Sequence, residues 1–102
     1  MWQEINNQLV RQFVFDNFIE AFAFLTKVAL LSEKQNHHPH IVNVYNKVTL
    51  SLSTHDSGNS ITPKDHKLAA AIDKLIWKLV KSIHLILSGS RTGIFSPVRG
   101  VI

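Results

Sequence analysis

At 102 residues the chain fits one domain with a modest core and leaves no room for a second. Its lack of cysteine excludes disulfides and thiolate metal sites, so a reducing cytosol suffices. The formal charge of +4 is confined to one end: residues 74–102 carry five Lys/Arg and no acid, whereas acids slightly outnumber bases before them, which gives a phosphate-binding surface on the main body little support.

The N-terminus "MWQEINNQLVRQ" lacks the apolar run of an export signal, so a cytoplasmic location is expected. "WQEI" and "QLVRQFVF" have strand character and are separated by "NN", which tolerates the left-handed backbone of a tight turn; residues 2–15 are therefore expected to form a hairpin. Asp16 or Asn17 can cap a helix over residues 17–35. Phe18, Phe22, Leu25 and Ala29 would form its core stripe, widened by Ile19, Ala23 and Leu30. Pro39 stops that helix.

"IVNVYN" and "KVTLSLST" read as a second strand pair turning at "YNK", with Val48, Leu50 and Leu52 alternating against Thr49, Ser51 and Ser53. "HDSGNS" is a loop by composition. In "ITPKD", Thr62 caps a second helix that begins at Pro63 and repeats Leu68, Ile72, Leu75, Leu79 and Ile83. The order β-β-α-β-β-α predicts an α+β fold: a four-stranded antiparallel sheet with two helices packed on one face. Its bare face and edge strands predict a homo-oligomer. The aromatics Phe13, Phe15, Phe18, Phe22 and Tyr45 are expected in the core.

Four of the six histidines fall within "EKQNHHPHIVNVYNKVTLSLSTH", residues 33–55. A hairpin about "YNK" brings the start of the third strand beside the end of the fourth, which gathers His37, His38 and His55 at one sheet end. Glu33 and Asp65 are near enough in sequence to orient imidazoles there. A lone loop histidine is usually a bystander; several at one place argue for proton transfer near neutral pH. Metal binding has weak support, since "HHPH" does not present two ligands on one helix face and no cysteine helps. His66 and His84 read as surface or interface residues, and His40 as solvated.

"EKQNHHPHIVNVYNKVTLSLSTHDSGNSITPKDHKLAAAID" resembles the signature region of the pterin-4a-carbinolamine dehydratase family. The likeness takes in Trp2, "FVFDNFIEAFAFLTKVAL" and "VYNKV", covers residues 1–77, and leaves 78–102 as a helix extension with a disordered basic tail. It implies a cofactor-free dehydration of 4a-hydroxytetrahydropterin (the biopterin form included) to quinonoid dihydropterin, and the absence of a four-ligand spacing leads us to expect that it needs no metal. This step recycles tetrahydropterin after aromatic amino acid hydroxylation.

The resemblance also implies that His37, His38 and His55 form the catalytic set, His37 and His55 as acid and base and His38 as their substrate-binding neighbour. Glu33, Ser53, Thr54 and Asp65 match substrate-binding positions. Imidazole, with an ordinary pKa of about 6.5, suits both proton transfers. Where the family commonly has Trp-Phe, this chain has Ile41 and Val42. A homodimer or homotetramer with no direct nucleic-acid contact is expected. The contrasting reading is a non-catalytic interaction protein, because animal members resembling this chain also serve as dimerisation cofactors of homeodomain regulators, or a pterin binder without turnover. The apolar part of the tail, Leu75 to Leu87, is interrupted by Lys78, Lys81 and His84 and is shorter than the roughly 18 residues a membrane span needs. It reads as a continuation of the second helix to Ser88 that packs in the oligomer.

Overall fold

The computed structural model describes the backbone of residues 1–89 and the side chains of residues 1–76 other than Ser57. Strands β1 (Gln3–Ile5), β2 (Gln8–Val14), β3 (His40–Val44) and β4 (Lys47–Leu52) form one antiparallel sheet in the order β1-β2-β4-β3. Helices α1 (Phe18–Gln35) and α2 (Pro63–Gly89) complete the expected α+β arrangement. No described helix is long and apolar enough to cross a membrane. The remaining tail, residues 90–102, and the side chains from Trp77 onward, His84 among them, lie outside the described residues.

The first hairpin turns where small amides permit it. Asn6 and Asn7 both take positive φ, 50° and 62°, as a two-residue turn matched to strand twist requires. At the other hairpin Tyr45 takes φ 51°. Asn43 Nδ2 spans that turn by donating to Lys47 O at 2.9 Å and Tyr45 O at 3.2 Å. Asn46 exchanges bonds with Phe15 at the end of β2: its Nδ2 donates to Phe15 O and its own carbonyl accepts from Phe15 N. Tyr45 is therefore not a core residue. The turn's corner holds its ring in solvent, 62 % exposed.

Leu9 and Phe13 of β2 and Val48, Leu50 and Leu52 of β4 share one sheet face and are buried against the helices, with Phe15 following β2 on the same side. Asn17 caps α1 by accepting from Glu20 N at 2.9 Å. The face that α1 buries is Ala21, Phe24, Leu25, Val28 and Ser32, which corrects the expected stripe. Phe18, Ile19, Phe22 and Leu30 are instead 48, 79, 54 and 68 % exposed, and Ala23 and Ala29 are exposed too. Apolar residues occur almost all round this helix, so periodicity alone could not choose the inner side. Phe24 decides it by packing between Phe13 and Phe15, at ring separations of 4.9 and 5.1 Å.

Helix α2 buries Asp65, Leu68, Ala69, Ile72 and Ile76. It is latched to the first hairpin through Asp73, whose Oδ1 accepts from Trp2 Nε1 at 2.8 Å and from Arg11 Nη1 at 2.7 Å. The Arg11 guanidinium also lies 4.6 Å above the Phe13 ring. Together these contacts tie α2, at Asp73, to the first hairpin.

Candidate active site

Local chain geometry aims the histidines. Helix α1 ends at Asn36 in the left-handed conformation (φ 51°, ψ 45°), its N–H directed to Glu33 O and Ser32 O, while His37 N donates to Ser32 O at 3.0 Å. This paired closure caps a helix C-terminus and reverses the chain. Pro39 then prevents resumption, and β3 starts at His40. The register His40↔Ser51 places the start of β3 beside the end of β4. Beyond β4 the chain pairs Thr54 with Ser60 and makes a short 3-10 turn over His55–Ser57, closed by Gly58 at φ 71°.

These segments enclose a cleft of about 290 Å³ lined by Asn36, His37, His38, Ser53, Thr54, His55, Asp56 and Lys64. The three expected histidines thus meet, with Ser53 and Thr54 beside them. Glu33 and Asp65 stand behind the cleft. Asp65 is wholly buried, and its Oδ1 lies 2.5 Å from His37 Nε2. Its Oδ2 accepts from Thr54 Oγ1 and from Thr62 N, both at 2.8 Å, and the Thr54 and Thr62 hydroxyls bond each other. Burial pushes the Asp65 carboxyl up, but the bonds from His37, Thr62 N–H and Thr54 outweigh it and hold the group below its ordinary value.

An ionised carboxylate only accepts, so His37 Nε2 carries the hydrogen it shares with Asp65, and in the neutral ring Nδ1 keeps the lone pair. His38 is tethered in the same way, its Nε2 lying 2.6 Å from Glu33 Oε2. His55 Nδ1 lies 3.1 Å from Asn59 Oδ1, an acceptor, which leaves Nε2 as its free nitrogen. Each imidazole therefore has, among the described residues, one nitrogen anchored and one available. Among the described residues, no three His, Asp or Glu side chains gather as metal ligands.

Ile41 and Val42 do not line the cleft. Register puts Ile41 on the helix side of β3 and Val42 on the opposite face, 42 and 44 % exposed. Asn36, Asp56 and Lys64 do line it and were not singled out from the sequence. An Asn closing an amphipathic run signals a left-handed cap, and a lysine just after Pro63 stands against the helix dipole; either could have drawn attention.

A family model described as pterin 4 alpha carbinolamine dehydratase matches residues 1–75. The chain belongs to that family. A relative from Prochlorococcus marinus (strain NATL2A), provisionally named pterin-4-alpha-carbinolamine dehydratase, is 59 % identical over 75 residues, covering 74 % of this chain and 78 % of the relative. A similarly named protein of Solibacter usitatus (strain Ellin6076) is 50 % identical over 74 residues, covering 72 % and 77 %.

Among solved structures, a transcriptional coactivator/pterin dehydratase from Brucella melitensis aligns with a TM-score of 0.67 and 39 % identity over 72 % of this chain and 79 % of that one. A pterin dehydratase-like protein described as a RuBisCO assembly factor in the alpha-carboxysome aligns at 0.60 and 26 %, over 74 % and 86 %. The family and the relatives' names support a pterin carbinolamine dehydratase activity. The matched residues, 1–75, include every residue placed around the cleft.

Proposed function

We propose that this member of the pterin 4 alpha carbinolamine dehydratase family removes water from 4a-hydroxytetrahydropterin by histidine acid/base catalysis. The observation that carries the reading is the convergence of three imidazoles on one cleft, each with one ring nitrogen anchored and the other available. In the step, the C4a–O bond breaks as a protonated imidazole delivers its proton to the departing hydroxyl. A neutral imidazole takes the proton from N5, and water and the quinonoid dihydropterin leave. The redox level of the ring is unchanged, so no electron carrier is required.

His37 and His55 serve as the acid/base pair, and His38 binds the substrate beside them. Ser53 and Thr54 supply polar groups along the cleft. Asp65 acts through His37 and Glu33 through His38. The tetrahydrobiopterin form of the substrate, a role in tetrahydropterin recycling and a cytoplasmic location belong to the same reading. Chemically generated 4a-hydroxytetrahydropterin, followed by stopped-flow absorbance with and without the purified protein, tests it. Acceleration that survives exhaustive chelation is expected; a rate equal to the spontaneous one would overturn it.

Assembly has support of its own. The outer side of α1 exposes Phe18, Ile19, Phe22 and Leu30, with the Phe18 and Phe22 rings in tilted contact at 5.5 Å, an apolar patch of the kind that marks an interface. A homodimer or homotetramer would cover it. It is also the surface that favours the second reading, an interaction protein. Light-scattering mass of wild type and of Phe22→Glu, beside their dehydration rates, separates the two: loss of assembly with retained turnover keeps the enzyme reading.

A further inference from the structure

The cleft holds two charged side chains that proton transfer does not use. Asp56 follows His55 on the 3-10 turn, and Lys64 is the second residue of α2; both line the same cleft as the three histidines. Both are exposed, and among the described residues neither side chain makes an ion pair or hydrogen bond, with each other or with any neighbour. Every histidine on the cleft is tethered, whereas these opposite charges are left open. Lys64 also occupies the first turn of α2, where a cation opposes the helix dipole. Such local disagreements concentrate where a residue is kept for a site rather than for the fold.

Resting on the pterin reading, we propose that Asp56 and Lys64 are specificity-determining residues that recognise the 2-amino-4-oxo edge of the substrate ring. That edge presents N–H donors at the 2-amino group and N3, followed by a carbonyl acceptor at C4. A carboxylate takes two parallel N–H bonds, and an ammonium donates to the carbonyl. A 2-oxo ring of the lumazine type would turn a carbonyl oxygen toward the Asp56 carboxylate and be rejected, because a site built for a donor penalises a ligand lacking it.

The test uses the full chain and its Lys64→Gln, Lys64→Arg and Asp56→Asn variants. Dehydration kinetics are measured together with fluorescence titration of 7,8-dihydropterin and its 2-oxo analogue. Loss of one charge-assisted bond predicts a rise of about 10- to 100-fold in KM for Lys64→Gln with kcat held within about threefold, and recovery in Lys64→Arg. Asp56→Asn should narrow the preference for the 2-amino ring by about tenfold or more. Unchanged KM in Lys64→Gln and Asp56→Asn, or a fall in kcat at constant KM, would overturn the proposal. If the wild type did not accelerate dehydration, the catalytic reading would fail, while the titrations would still decide whether these two residues discriminate between the rings.

Discussion

Neighbouring histidines on one cleft are tethered in nearly the same way and to different effect. His37 and Asp65 approach to 2.5 Å with side chains only 12 % and 0 % exposed, whereas His38 and Glu33 approach to 2.6 Å with 56 % and 77 % exposure. Distance alone would rank them equal. Burial separates them: water competes for Glu33 and leaves its side chain free to move, while Asp65 is locked by Thr54 and the Thr62 N–H and cannot leave its imidazole. In the proposed function, chemistry that needs one fixed tautomer accordingly falls to the buried pair, and adaptable contact with substrate to the exposed one.

The widest break between the two comes from removing the rings. His37→Ala, like His55→Ala across the cleft, should cost about 10²- to 10⁴-fold in kcat, the usual loss of a positioned acid or base. His38→Ala should mainly raise KM. Steady-state kinetics on the three variants check this, and near-normal kcat in His37→Ala would reverse the assignment.

Next come the carboxylates. Asp65→Asn offers an amide where His37, Thr54 and the Thr62 N–H all meet the carboxylate, so it should destabilise the fold by about 1.5 to 3 kcal/mol in urea unfolding and lower kcat at least tenfold. Glu33→Gln should leave stability unchanged and alter kinetics no more than about threefold, since exposed pairs contribute little. Equal effects of the two substitutions would erase the distinction drawn from burial.

Acid provides a finer test. The Asp65 carboxyl is held below its ordinary value in the folded protein, so the stability it contributes is fully present above the ordinary carboxylate pKa of about 3.9 and is lost as pH falls through its lower folded value. Wild type should therefore lose stability more steeply than Asp65→Asn below about pH 4. Parallel curves would mean that the bonds to Asp65 do not favour its ionised form.

The smallest effect concerns salt. Between low and roughly 1 M salt, where screening is nearly complete, binding steps that depend on the exposed His38–Glu33 pair should weaken modestly. If His37 and Asp65 set kcat as proposed, kcat should move by less than about twofold.

Much of this arrangement was legible in one dimension because local rules produce it. Asn6-Asn7, the Asn17 cap, Pro39, and Thr62 ahead of Pro63 set where elements start and stop, and the alternation of Val48, Leu50 and Leu52 set which strand face is buried. Strand pairing then had to carry His37 and His38 toward His55. Other features stayed hidden for an equally physical reason. On α1 both sides are apolar, and only the packing of Phe24 against Phe13 and Phe15 chose the inner one, leaving Phe18 and Phe22 outside.

The chain's order of residues by itself determined the α+β element sequence, the two hairpins and the meeting of His37, His38 and His55, because each follows from turn chemistry, period and register over short spans. The β2–β4 pairing that joins the hairpins was decided by the tertiary structure. Only the tertiary structure decided that Asp65, 28 residues along the chain from His37, sits fully buried against it while Glu33 holds His38 in the open. It also decided that Asp56 and Lys64 share the cleft with no ion pair or hydrogen bond among the described residues. Burial and the competition of water for a carboxylate are properties of the packed assembly of β4, α1 and α2, and no residue pattern along the chain encodes them locally.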